Sequence, residues 1–205
     1  MSKVLLINGS PHREGCVFTA LSEMKTAFEK DAVDAEIFHI GTKPVRGCIA
    51  CHKCAELGRC VFDDDVCNEL GRLMIAADGI VIGSPVYYAG PNGALCALLD
   101  RVFYSVGSKL QYKPGAAVVS CRRSGTTATF DRLNKYFTIN KMPVVSSQYW
   151  NGVHGYEPED VRKDLEGLQT MRTLARNMTW LIKNIKAGGI TPPEAEEWQK
   201  TNFIR

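Results

Sequence analysis

Four cysteines crowd the stretch GCIACHKCAELGRC, residues 47–60, and give Cys48, Cys51, Cys54 and Cys60 the spacing C-x2-C-x2-C-x5-C. Three thiols at steps of three can grip one compact object. Structural zinc is ordinarily held by two C-x2-C knuckles with a long spacer between them, which this run lacks; closely stepped cysteines are the habit of iron–sulfur clusters. A bound cluster, a loop of reduced thiols and a zinc site are the three readings, in that order. The acidic run Asp63, Asp64, Asp65 that follows invites a metal or acid chemistry, but its place before a helix near Asp64 favours N-capping and dipole compensation.

Three loops carry the remaining chemistry. NGSPHREGCV, 8–17, follows an apolar run and opens a helix, so free backbone N–H groups and the positive end of a helix dipole converge there on one point that suits a phosphate. Ser10 can add a hydroxyl, and His12 and Arg13 further donors. Neither G-x-G-x-x-G nor G-K-[ST] is present, which points to a monoester; the same letters also serve as a plain strand-to-helix turn. In SPVYYAGPNG, 84–93, Pro85 and Pro91 stiffen a loop whose Tyr87 and Tyr88 could flank a planar ring or cap the core. In SCRRSGTTATF, 120–130, the N–H groups near Gly125 and Thr126 could bond a polar ring edge, while Arg122 and Arg123 make either a solvated corner or a contact to a 2′-phosphate.

These loops need a frame, and five short apolar runs supply it: 4–7, 35–40, 79–83, 116–120 and 143–147, alternating with stretches of helical spacing such as Phe18, Leu21, Met24 and Phe28. The pattern predicts an α/β, doubly wound, five-stranded parallel sheet between two helical layers, with ligands beyond the carboxyl ends of the strands. Apolar steps from Val161 to Ile185 predict one closing helix of about seven turns. One domain is expected over 1–187, with a cysteine-rich insertion at 47–63, then a tail over 188–205 whose Trp198 and Phe203 need something to pack on.

A net charge of +3 without a lysine/arginine block excludes an electrostatic nucleic-acid groove or an anionic membrane surface as the natural partner. The first residues carry neither a secretory core nor a spanning run, so a cytoplasmic protein is expected, and eight cysteines in that reducing compartment argue against a disulfide framework. Cys67 and Cys96 read as small core hydrophobes, and Cys16 and Cys121 as buried thiols near the loops.

NGSPHREGC followed by SPVYYAGPNGALCALLDR resembles the flavodoxin-like NADPH-dependent FMN reductase family over most of the chain. The resemblance implies FMN, its phosphate in the loop around Ser10, His12, Cys16, Val17 and Phe18, and its ring system against Pro85, Val86, Tyr87, Tyr88 and Cys121, Arg122, Gly125, Thr126. Family members usually carry a hydroxyl where this chain has Cys16-Val17, so a side-chain contact to phosphate is lost unless Thr19 replaces it. The cysteine run resembles that of the iron–sulfur flavoproteins, which place a [4Fe-4S] cluster beside FMN. NAD(P)H is then the co-substrate, and the acceptor a quinone, an azo or nitro compound, or a redox protein. The alternatives are an electron carrier between proteins and a thiol sensor. A homodimer or homotetramer is expected, to shorten the path between cofactors. The flavin carries the chemistry, so no residue is nominated as catalytic. Trp150, His154 and Tyr156, in 147–160, would roof the flavin and shape the substrate pocket, with His154 either a proton donor or structural.

Overall fold

The computed structural model describes residues 2–197, 199 and 201; Trp198 and Phe203 lie outside the described residues. Val4 to Ile7 of β1 (Ser2–Asn8) are wholly buried, as a strand covered on both faces requires. Alternation then divides the core. Val4 and Leu6 pack with Val17, Leu21, Met24 and Phe28 of α1 (Cys16–Lys30) and with Met171, Leu174 and Met178 of α7 (Leu165–Gly188). Leu5 and Ile7 meet Leu70 and Met74 of α3 (Cys67–Ala76), Leu98 and Val102 of α4 (Gly93–Val106), and Leu133 and Phe137 of α5 (Thr126–Ile139).

β1 lies between β2 (Val33–His39) and β3 (Gly79–Tyr87), and the sheet continues through β5 (Gly115–Cys121) to β6 (Gly152–His154), all parallel. A two-residue β4 (Gly90–Pro91) folds back antiparallel on β3. The order β2-β1-β3-β5-β6 is that of flavodoxin-like sheets. Among the described residues two short α-helices, α2 (Cys54–Leu57) and α6 (Pro158–Lys163), and a 3-10 turn at Gly107–Lys109 complete the fold. Among the described residues no helix is long and apolar enough to cross a membrane.

Three sequence expectations fail for local reasons. The run 143–147 is no strand: it touches the sheet through a bridge between Gly115 and Val144, with Val145 N–H donating to the Gly115 carbonyl at 2.9 Å. Pro143 has no N–H to extend the ladder, and the Ser147 hydroxyl bonds the Tyr149 carbonyl and Asn151 Oδ1, which turns the chain outward. Asn151 bridges the gap, its side chain donating to Ala117 O and its carbonyl accepting from Val119 N–H, and pairing resumes three residues long in β6. The closing helix is two helices, because Asp164 leaves helical geometry and caps α7 by accepting from Gly167 N–H at 2.9 Å; Leu165 is consequently 75% exposed. The helix expected near Asp64 begins at Cys67, and of the three aspartates only Asp65 accepts from a backbone N–H of its first turn, that of Cys67 at 3.0 Å. Asp63 instead bonds Asn68, and Asp64 pairs with Arg46.

Candidate functional site

Because β1 has β2 on one side and β3 on the other, the crossovers leave its carboxyl end in opposite directions and open a crevice there. The loop that follows is pinned by its own polar groups. Asn8 Oδ1 accepts from Ser10 N–H and Asn8 Nδ2 donates to Arg13 O, both at 3.1 Å; Ser10 Oγ accepts from His12 N–H; and the His39 ring bonds Ser10 O at 2.8 Å. Gly9 is required at the base, since a Cβ there would stand 2.4 Å from Leu95 and 2.7 Å from the Gly83 carbonyl. The N–H groups of Cys16, Val17 and Phe18 precede the first intrahelical bond, Thr19 N–H to Gly15 O. That helix end has no side-chain cap and no acidic residue in its first turn, which leaves its amides free, although Glu14 just before it and Glu157 across the cleft are close by. His12, Arg13, Glu14, Gly15 and Cys16 line an open cleft there with Tyr156 and Glu157 across from them, so the cleft carries two carboxylates beside its basic side chains. Thr19 does not supply the missing hydroxyl: it donates to Gly15 O within its own helix. Burial pushes the Cys16 thiol up, so the side chain beside the cleft stays neutral.

The second and third loops abut. The hairpin from β3 to β4 turns through Tyr88 and Ala89, both at positive φ, where Gly or Asn would be the unstrained choice. Tyr88 does not cap the core, being fully exposed, whereas Tyr87 is 43% exposed. Gly125, at φ +89°, sits against this hairpin, a Cβ on it meeting Val86 at 2.9 Å and Ala89 Cα at 3.0 Å. It leads into α5, whose first turn is likewise free of acidic residues. Cys121 is buried and its thiol pushed up by that burial, while Arg122 and Arg123 are exposed and have no ion-pair partner among the described residues. Gly125→Ala is expected to lose about 2 kcal/mol from left-handed strain and displacement of the hairpin, read as a melting temperature lower by roughly 4–8 °C.

The aromatic stretch divides between two places. Trp150 and His154 line a cavity of about 110 Å³ with Thr126 and Phe130, whereas Tyr156 overhangs the first loop. His154 is tied to Asp164, which accepts its N–H at 2.7 Å and lies 3.6 Å from its ring.

Cys48, Cys51, Cys54 and Cys60 line one pocket, and every cysteine is a free thiol. Among the described residues no three His, Cys, Asp or Glu side chains stand close enough for a single metal ion, so the thiols share a pocket rather than a point. Cys54 is pushed up, mostly by burial and further by the other three sulfurs. The loop is held by residues the sequence reading passed over. Asn68 accepts from Cys60 N–H at 2.9 Å and donates to the carbonyls of Cys60 and Phe62. Arg101, its side chain 1% exposed, donates Nε to Cys60 Sγ at 3.2 Å, Nη1 to Arg46 O and Asp65, and Nη2 to Asp65 and more distantly Phe62 O. The signal was there, an arginine three residues after Leu98 on the apolar stripe of α4. Burial works against the charge of Arg101, but the bonds to Asp65 and Cys60 outweigh it and hold its pKa above the ordinary value. Cys67 nearby is a core residue, pushed by burial to about 12.

The helix α4 relates the two regions. Asn92, which caps it, donates to Gly9 O at 2.8 Å in the first loop; Arg101 and Tyr104, further along, line the cysteine pocket. Nine residues at 1.5 Å put Arg101 about 14 Å along the axis from Asn92. The cysteine loop therefore leaves the carboxyl edge of the sheet and packs back along α4, not beside the crevice.

The family model for NADPH-dependent FMN reductases matches residues 2–157. An iron–sulfur flavoprotein of Methanocaldococcus jannaschii is 34% identical over 192 residues, spanning 90% of this chain and 99% of that one. Another, from Methanosarcina thermophila, is 30% identical over 189 residues, spanning 90% and 97%. Among solved structures, RosB superposes with a TM-score of 0.73 at 12% identity over 100% of this chain and 93% of its own. The NAD(P)H:(acceptor) oxidoreductase FerB from Paracoccus denitrificans gives 0.63 at 12% over 90% and 98%. These two likenesses concern the fold alone. The cleft at the first crossover, the abutting loops and the four-thiol pocket thus sit in an oxidoreductase of flavodoxin-like fold, and the chain belongs to the NADPH-dependent FMN reductase family, close to the iron–sulfur flavoproteins.

Proposed function

We propose that the chain binds FMN in the crevice between the first and second loops and uses NAD(P)H to reduce an acceptor, a quinone, an azo or nitro compound, or a redox protein. The observation that carries this reading is the pinned first loop with three unspent N–H groups at the uncapped N-terminus of α1. Cys16, Val17 and Phe18 would bind the phosphate through their amides, with Ser10 and His12 beside it. Pro85 to Tyr88 would lie along the ring system, and Cys121, Arg122, Gly125 and Thr126 would border its polar edge. When bound, FMN supplies hydride and single-electron chemistry; the chain orients it, shields it from water and presents Trp150 and His154 to the acceptor.

The four thiols form a soft donor set suited to a [4Fe-4S] cluster, and the relatives that span nearly all of this chain are named iron–sulfur flavoproteins. Cys48, Cys51, Cys54 and Cys60 would hold it. A relay of single electrons to protein partners is the second reading, and this pocket is the observation that favours it. The separation along α4 supports a homodimer or homotetramer in which one subunit's cluster approaches its neighbour's flavin. The domain runs over 1–187, with 188–205 as a tail.

Purification without oxygen, followed by a visible spectrum, iron and sulfide assays and NAD(P)H oxidation with a quinone, tests both. Flavin bands and rapid turnover are expected; a flavin-free protein would defeat the first reading. Reduction only by a ferredoxin-like protein would transfer the conclusion to the relay.

A further inference from the structure

A guanidinium with all five N–H groups engaged inside a core is costly unless the geometry is complete, and around Arg101 it is complete: two donors meet the Asp65 carboxylate, two more meet the carbonyls of Arg46 and Phe62, and Nε points at Cys60 Sγ. Those partners bracket the cysteine loop from its start at Arg46 to its end at Asp65, so one side chain of α4 fixes both ends of a segment that otherwise contains only the four-residue α2. Cys60 is also the most enclosed of the four thiols, 8% exposed, while Cys48 and Cys51 face solvent. Water can screen and hydrogen-bond the exposed sulfurs; at Cys60 the donor is Arg101.

We infer that Arg101 is a positioning residue for the cluster, presenting the Cys60 sulfur as a preset ligand and raising the cluster's reduction potential through its N–H···S bond, with Asp65 holding that influence in check. The inference rests on the four-cysteine cluster reading. A donor to a ligand sulfur favours the reduced, more negative state, and hydrogen bonding to sulfur together with local charge sets the potential of such centres. The two partners consequently act with opposite signs. Arg101→Lys keeps a positive charge but cannot reach the sulfur and both loop ends together, which removes the bond to sulfur. Asp65→Asn leaves the guanidinium in place without its countercharge.

The test is spectroelectrochemical titration of the full chain purified without oxygen, with FMN as internal reference and iron and sulfide measured first on the unaltered protein. Expected are a lower cluster potential in Arg101→Lys, a higher one in Asp65→Asn, and an FMN potential unmoved in both. Loss of iron from Arg101→Lys with FMN and helical signal retained also supports the positioning role. Cluster potentials that stay put, or move in the same direction in both variants, overturn it, as does joint loss of FMN and iron, which would make Arg101 a general prop of the fold. Absence of iron from the unaltered protein defeats the cluster reading itself and this inference with it, a result distinct from an unmoved potential at full iron.

Discussion

Replacing Cys51 with serine is expected to reduce iron and sulfide to background while FMN stays bound at its full ratio. The thiol is exposed and makes no core contact, so the change costs the fold within about 0.5 kcal/mol. Its effect on a cluster is of another order. Clusters are held by soft thiolates, and a serine hydroxyl is a hard donor that must lose its proton far above neutral pH to compete. The flavin should not notice, because the crevice is built from Asn8 to Phe18 and from Ser84 to Asn92, none of which touches Cys51. Retention of full iron in Cys51→Ser, measured beside an unchanged flavin spectrum, would remove this residue from the ligand set. Zinc in place of iron in the unaltered protein would instead favour the third of the sequence readings.

What could be read from the chain and what could not divide along physical lines. Val4 to Ile7 and Ala116 to Val119 announce themselves because a strand buried on both faces has nothing but apolar residues to offer, and the three loops follow from where those runs end. The last strand was misplaced because its register depends on two side chains, Ser147 closing a local turn and Asn151 standing in for the missing ladder, and neither bond has a hydrophobic period. The single closing helix was overdrawn for a similar reason: apolar steps continue across Asp164, but its carboxylate satisfies an amide at the start of α7 and the phase breaks there. Arg101 was missed because a charge on an apolar stripe becomes meaningful only once Asp65 and Cys60, thirty-six and forty-one residues away in sequence, are brought to it. The thiol spacing was plain from the start; that the pocket packs along α4 rather than beside the crevice was not, since it depends on how 46–65 folds back.

The charge of the first crossover gives the second large effect, and it separates stability from binding. Cys16→Asp places a carboxylate in the first turn of α1, where the helix dipole favours it by about 0.3–1 kcal/mol while partial burial and the nearby Glu159 and Asp160 carboxylates oppose it, so the apoprotein's melting temperature should change little. The same carboxylate would face the phosphate that the cradle is proposed to hold. Two like charges a few ångströms apart near a protein surface repel by at least about 2 kcal/mol, so the Kd for FMN should rise roughly 30-fold, and more at low salt than at high. Thermal denaturation of the apoprotein and fluorescence titration with FMN measure the two effects separately. Cys16→Ser should move binding the other way, because it returns a hydroxyl to the position where the neutral thiol now donates weakly to Gly155 O at 3.8 Å; turned to the phosphate instead, one hydrogen bond of about 1 kcal/mol tightens Kd roughly fivefold. If the aspartate variant melts as the unaltered apoprotein does yet binds FMN as tightly as before, the anion sits somewhere other than the amide groups of Cys16, Val17 and Phe18. If riboflavin, which has no phosphate, weakens as much as FMN does, the carboxylate has disturbed the ring site rather than the cradle.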